Sequence, residues 1–576
     1  MIRDVGFLCW KQENAWMEAM TGSRWNNMVK KENKLFKTQV KKVATEQQIL
    51  AKTHEFMQDN GTMYFSYKNI ILKYDTDYEW CYVNSKKMHS VVDLSIDTYI
   101  YHIREIGHGA QKYRLECIKD DKVLWYKDNV GPQVYAKNGI CYVLGAELLW
   151  YNSVIAYDAK GKEKILYIET NKLYNLSFVK GEDVLFLIRD NSGKEELFTI
   201  THETIDKIDS IGTHFFPIGY YNKKLCYLEN INNIWHAIGF HLKAFSHEIE
   251  YFSFTYGIYI LRINGLKVIY TIKGKKLFSF YGNIYTHPFN EPNFFIDFTN
   301  AGLYEYSFKK PLNLCTIPYC NIKNDFAISY DTTKVPYVLA IPYCEIKGLM
   351  VIAYGAYGIP TSLSTRRWKP YLRDGWMLCF AMVRGGGDVH RKWALSAQTT
   401  NKVVSCEDLE ACIKDVQKKY KISASKTCIY GRSAGGYLVG MAVSRNFNGS
   451  LFKMVYTEVP YVDVLRTTTN SSLPLTILEY NEFGNPAKSI NEFQEILKLS
   501  PVDSIVKSPD LFVLIHTSEN DSQVYAYESY KWFDALGKDT HKFIYMNENK
   551  GHFINGNDAC VNFSDDFFLL KSFRDV

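Results

Sequence analysis

Gly431-Arg432-Ser433-Ala434-Gly435-Gly436 carries the clearest chemistry in this chain. It follows the apolar run Thr427-Cys428-Ile429-Tyr430 and leads into Tyr437-Leu438-Val439-Gly440-Met441-Ala442, which reads as a helix. A serine between glycines at a strand-to-helix turn is a nucleophile elbow. The turn is so sharp that it lifts the hydroxyl clear of the backbone, and it leaves no room for side chains beside it. The helix that begins there aims free N–H groups and its positive end at the place where an oxyanion would form. Taken alone, the six residues would also suit a glycine-rich helix entry without catalysis.

A serine nucleophile needs a base and an acid. Residues 511–516 form an apolar strand followed by the polar loop Thr517-Ser518-Glu519-Asn520-Asp521-Ser522-Gln523. A helical segment over 525–536 separates it from the next strand, 542–546, and the loop Asn549-Lys550-Gly551-His552. Serine, acid and histidine in that chain order, each after a strand, is the α/β-hydrolase arrangement, with Asp521 as acid and His552 as base. His516 lies inside its strand, and His541 and Asp510 precede theirs, at the wrong end of the sheet.

These motifs, with Val383-Arg384-Gly385-Gly386-Gly387-Asp388 and Asp521-Ser522-Gln523-Val524, resemble the prolyl oligopeptidase family of serine peptidases. Within it the stretches Glu458-Val459-Pro460-Tyr461-Val462-Asp463-Val464, Glu482-Phe483-Gly484-Asn485-Pro486 and Tyr525-Ala526-Tyr527-Glu528-Ser529-Tyr530-Lys531-Trp532 are most similar to oligopeptidase B. The match runs over roughly residues 330–560. Trp16-Met17-Glu18 and Lys31-Glu32-Asn33 resemble the family's opening helix.

The resemblance implies further roles. Tyr354, after the strand 349–353, matches an oxyanion-hole tyrosine that works with the backbone N–H of Ala434. Glu479 stands where prolyl-specific members carry a tryptophan and oligopeptidase B carries an acid that pairs with a P1 Arg or Lys. Two departures weaken that charge: Asn481 replaces a second acid, and Ser362 and Ser364 replace an acidic pair at the next subsite. Cleavage after Arg or Lys is therefore expected, without a need for paired basic residues. A prolyl-type or broader oligopeptidase, a peptide ligase or macrocyclase, an ester hydrolase of the same fold and an interaction protein with a degenerate site are the alternatives. The intact triad argues against the last.

The middle of the chain has a different rhythm. Short apolar strands begin near Met63, Thr98, Ile140, Val184, Leu225, Ile258 and Phe294, at a period of about 40 residues. Repeats of that length made of strands and turns point to a seven-bladed β-propeller, as does the resemblance; stacked β-sandwiches are the alternative. The expected architecture is an α/β-hydrolase catalytic domain over 321–576, a propeller over 56–320, and an N-terminal helical segment over 1–55 packed on the catalytic domain. A propeller over the active site would admit only short, flexible peptides.

Composition agrees with this. A chain of 576 residues needs more than one core. With 47% hydrophobic and 23% charged residues it reads as globular, and its charge of +6 is dispersed. Short clusters such as Lys273-Gly274-Lys275-Lys276 are solvated turns, so no nucleic-acid partner is expected. Neither a secretory signal nor a membrane-spanning run is visible. Thirteen cysteines without C-x-x-C pairs, several of them inside strands (Cys141, Cys379, Cys428), look like reduced core thiols of a cytoplasmic protein. No cofactor or metal is expected, and the sequence leaves the oligomeric state open.

Overall fold

The computed structural model describes residues 2–576 except 13, 60–61, 68–69, 76–79, 85–86, 203, 287–292, 308–317, 447–448, 507–509, 539 and 555. The C-terminal part is built on eight strands: β1 (Cys320–Ile328), β2 (Lys334–Pro342), β3 (Gly348–Ile352), β4 (Trp376–Ala381), β5 (Thr427–Arg432), β6 (Met454–Glu458), β7 (Phe512–Ser518) and β8 (His541–Asn547). Their spatial order is β1-β2-β4-β3-β5-β6-β7-β8. From β4 to β8 every pairing is parallel, while β2 runs antiparallel to both of its neighbours. The parallel strands are continuous apolar runs because both faces are covered, as parallel sheets require. One face packs with the helices Val403–Tyr420 and Ala434–Arg445. The other packs with Gly22–Val43, Glu46–Asp59 and Gly556–Arg574. This is an α/β-hydrolase domain.

The N-terminal segment, expected to be helical over 1–55, holds two helices and a shorter opening part. It opens with a hairpin, Ile2–Asp4 on Cys9–Lys11, and a 3-10 turn, Ala15–Ala19, before the helices Gly22–Val43 and Glu46–Asp59. The first helix buries Trp25, Val29, Phe36 and Val40, an apolar stripe at helical spacing. Glu18 fixes the segment to the catalytic domain, its carboxylate accepting from Lys531 Nζ at 2.6 Å and Arg466 Nη2 at 2.8 Å.

Between them, among the described residues, antiparallel sheets run over 62–91, 93–168, 175–207, 214–238 and 248–307; divided within their two long strands, they give seven units in chain order: 62–91, 93–128, 130–168, 175–207, 214–238, 248–281 and 282–307. Each of the seven expected strands begins within two residues of an observed one. Several hairpins close on two residues that both have positive φ, such as Asn138-Gly139 and Asn264-Gly265, the geometry that matches strand twist. Two long strands each serve two units. Lys122–Lys137 pairs first with Tyr113–Lys119 and then with Ile140–Glu147, and Lys276–Thr286 passes from Leu266–Thr271 to Asn293–Phe298. The second strand turns at Gly282, where a Cβ would lie 2.2 Å from the Asp297 carbonyl oxygen.

Each unit packs on the next through its own apolar cluster. Leu115 shares a cluster with Val134, Leu144 with Leu187, Phe186 with Phe215, Leu228 with Leu261 and Ile269 with Ile296. One further cluster joins Met63 and Leu72 of the first unit, Leu94 of the second and Phe295 of the last.

Candidate active site

Ser433 caps the helix Ala434–Arg445 with φ 54° and ψ −121°, a conformation that side-chain-bearing residues rarely adopt. The surrounding glycines explain how it is tolerated. A Cβ on Gly431 would lie 2.1 Å from the Gly435 carbonyl oxygen, and one on Gly436 would lie 2.5 Å from Pro460 Cα. The Ser433 amide donates to the Glu458 carbonyl at 3.0 Å, and its own carbonyl accepts from Gly436, Tyr437 and Tyr461. Ser433 is half-buried at the carboxyl end of β5.

The loops after β7 and β8 meet beside it. His552 Nδ1 lies 2.7 Å from Asp521 Oδ2, and both residues are buried. Asp521 Oδ1 accepts from the amides of Gln523 and Val524, each at 2.9 Å, which holds the carboxylate in one orientation. Arg432, just before the serine, donates from Nη2 to the His552 carbonyl and lies over the Phe553 ring, tying the elbow to the histidine loop. Among the described residues no hydrogen bond joins Ser433 Oγ to His552. The rejected candidates lie elsewhere: His516 is buried within β7, and His541 opens β8 at the far end of the sheet.

Ala434 is the first helical residue, so its N–H has no carbonyl one turn back to bond. The half-buried Tyr354 follows β3 at the same place: a Cβ on Gly435 would lie 3.3 Å from Tyr354 Cα. Burial and the nearby Glu479 and Glu482 raise the pKa of the Tyr354 hydroxyl, which keeps it protonated and able to donate.

Glu479 and Glu482 lie on one short helix, Thr476–Phe483, but in different surroundings. Glu482 is fully buried and ion-paired. Lys402 Nζ binds its Oε1, Gln398 Nε2 donates to Oε2 at 3.1 Å, and the Tyr357 amide donates to Oε1 at 3.1 Å. Glu479 accepts from the Tyr357 hydroxyl at 2.7 Å. Burial, opposed by that bond and assisted by the Glu482 charge, raises its pKa to about 8. Asn481 turns to the repeat units, donating to the Asn191 carbonyl at 2.5 Å, and Ser362 accepts from Asn283 at 2.9 Å. Arg384 is held by Asp331 and Asp408 and serves the framework.

The repeat units approach this site closely. Loop 106–111 of the second unit lies on the loops after β7 and β8. Asn520 and Ser522 donate to the carbonyls of His108 and Ala110, each at 3.1 Å, and Gln523 Nε2 donates to Gln111 Oε1 at 2.9 Å. A Cβ on Gly551 would lie 1.8 Å from the Gly109 carbonyl oxygen. Gly551→Val is thus expected to prise this loop from the residue beside His552 and lower kcat by about 10²-fold, the scale of a misplacement of about 1 Å. Peptide hydrolysis by purified variant and parent tests it. Other units also reach the catalytic domain: Ser192 accepts from Arg391 at 3.2 Å, Arg262 donates to the Gly387 carbonyl at 2.6 Å, and Asp297 accepts from Arg366 at 3.1 Å.

Residues 363–568 match the model of the prolyl oligopeptidase family. Protease 2 of Moraxella lacunata is 35% identical over 201 residues, covering 34% of this chain and 29% of that relative. The prolyl endopeptidase-like protein of Homo sapiens is 36% identical over 171 residues, covering 29% and 23%. The matched stretch thus spans less than a third of these curated relatives. Among solved structures, oligopeptidase B of Leishmania major superposes with a TM-score of 0.83 at 16% identity, covering 99% of this chain and 94% of that one. The closed form of Trypanosoma brucei oligopeptidase B with covalently bound antipain gives 0.82 at 16% identity, covering 99% and 95%. At such identities the likeness is one of fold.

Among the described residues no group of three or more His, Cys, Asp or Glu could hold a metal ion, and no helix is long and apolar enough to cross a membrane.

Proposed function

We propose that the protein is a serine oligopeptidase that cleaves short peptides after Arg or Lys. The observation that carries this reading is the buried His552–Asp521 pair at the strand ends beside Ser433 in its strained turn. His552 takes the proton of Ser433 as Oγ attacks the scissile carbonyl, then returns it to the leaving amine. Asp521 fixes the imidazole tautomer and stabilises its charged form. The Ala434 N–H and the Tyr354 hydroxyl receive the oxyanion, each such donor being worth roughly 10²–10³ in rate. Water then repeats the sequence on the acyl-enzyme. Glu479 supplies the charge for a P1 guanidinium or ammonium group, since Glu482 is already paired with Lys402.

In this reading the seven units, over 56–320, close into a propeller that covers the catalytic domain of 321–576. The apolar cluster shared by the first, second and last units supports closure. The contacts of successive units with the triad loops, the Glu479 helix and the Gly385-Gly386-Gly387 loop support a gate around the cleft. Buried, unpaired Cys141, Cys379 and Cys428 suit a reducing cytoplasm.

A fluorophosphonate probe and a panel of Arg, Lys, Pro, Ala and ester substrates test the activity and its class. Arg and Lys are expected to lead, and a preference for Pro would overturn the specificity. The gate predicts that a short unstructured peptide is cut while a stable folded protein with exposed Arg and Lys is spared. Gel analysis showing efficient digestion of the native protein would refute it.

A further inference from the structure

At the carboxyl ends of β5, β6 and β7, one row of register partners reads Arg432, Glu458, His516. The same sheet face is otherwise largely apolar, with Cys428, Met454, Phe512 and Leu514 in its core. The Glu458 carboxylate is surrounded by donors. Arg367 Nη2 at 2.5 Å and Tyr456 Oη at 2.9 Å reach Oε1, while Arg367 Nη1 at 3.0 Å and Tyr430 Oη at 2.9 Å reach Oε2. The Arg367 guanidinium lies 4.0 Å from the Phe563 ring centre and 4.8 Å from that of Trp368. The Tyr456 hydroxyl also lies 2.7 Å from Asp566 Oδ2, and Asp566 Oδ1 lies 2.7 Å from His516 Nε2.

Such a network adds little stability over apolar packing, so its value lies in what it holds. The Glu458 carbonyl accepts the Ser433 amide. The next residue, Val459, has φ 42°, which a β-branched side chain adopts only under constraint. Its amide is fixed to the His516 carbonyl at 2.7 Å. On the other side of Glu458, Arg432 reaches the His552 carbonyl.

We propose that Glu458 is a positioning residue for nucleophile and base, acting on Ser433 through its own carbonyl and on His552 through Arg432. The proposal rests on Ser433 and His552 being the catalytic pair. Burial opposes charge on Glu458, yet Arg367, helped by Arg432 and His516, holds its pKa near 2. The ionised carboxylate therefore balances Arg432, which can lie against the histidine loop without opposing the positive charge that His552 gains in the reaction. Among the described residues, the charged and titratable groups around Glu458 are Arg367, Arg432, His516, Tyr430, Tyr456, Tyr371 and, beyond Tyr456, Asp566. Those at His552 are Asp521 and Arg432.

Glu458→Gln keeps the shape and removes the charge. Its kcat on a small Arg substrate is expected to fall about 10- to 100-fold with KM nearly unchanged, the scale of lost alignment. The acid limb of kcat/KM should move to lower pH, and Arg432→Met in the same background should move it back. Parental kcat and pH profile in Glu458→Gln would overturn the proposal, as would a double variant whose acid limb stays with the single one. If circular dichroism shows Glu458→Gln unfolded, Tyr430→Phe, which removes one donor, decides: a lower kcat at constant KM supports the role, and an unchanged kcat overturns it. Activity that survives Ser433→Ala would instead defeat the underlying catalytic reading.

Discussion

Ser433→Ala is expected to abolish fluorophosphonate labelling and to lower kcat on an Arg peptide by about 10⁴- to 10⁶-fold, with the melting temperature nearly unchanged. The small stability effect follows from position: the side chain is half-buried at a helix cap with no side-chain capping bond, so its removal strands no core partner. His552→Ala is expected to cost about as much, because a serine hydroxyl without its base is a weak nucleophile. Asp521→Asn should cost less, about 10⁴-fold. Its amide keeps the volume but can present an N–H to Nδ1, which favours the wrong tautomer. The losses should not add, since the three groups act as one unit: a double Ser433→Ala/His552→Ala variant should resemble either single one. Persistent labelling of Ser433→Ala would move the nucleophile elsewhere.

The parts legible in the sequence were those governed by local rules. The elbow follows from glycines that no side chain could replace, and the Asp521 and His552 loops follow from strand boundaries. The seven strand starts were readable because each short apolar run is bounded by turn residues. Contacts between distant segments were not. Ala110 and Ser522 are 412 residues apart, and no spacing rule announces that a hairpin loop will rest on the acid loop. The unequal states of Glu479 and Glu482 were hidden for the same reason, since Lys402 and Tyr357 come from segments distant in sequence. The N-terminal hairpin was missed because two three-residue strands carry almost no periodic signal.

These distant contacts change how specificity is read. A carboxylate already paired, like that of Glu482, has little to offer an incoming cation. Glu479 has only a neutral phenol for a partner in the described structure, and its pKa near 8 leaves it largely protonated at pH 7. A P1 guanidinium or ammonium group would draw the proton off, because the ion pair favours the charged carboxylate. Binding of a basic substrate is thus linked to proton release, and its strength should rise with pH until Glu479 ionises without help. The ratio of kcat/KM for an Arg substrate to that for a matched Phe substrate cancels the titration of His552, which both share. That ratio is expected to climb from pH 6 and level off above about 8. Glu479→Gln removes the charge and keeps the shape. It should lower the ratio about ten- to a thousand-fold at pH 8, in line with a charge-assisted contact of about 1.5–3 kcal/mol or somewhat more, and flatten its pH dependence. Activity on the Phe substrate should change far less, since no charge is left stranded. A ratio that keeps both its size and its slope in Glu479→Gln would remove this residue from the pocket's chemistry. Glu482 could then take its place only if Lys402 released it.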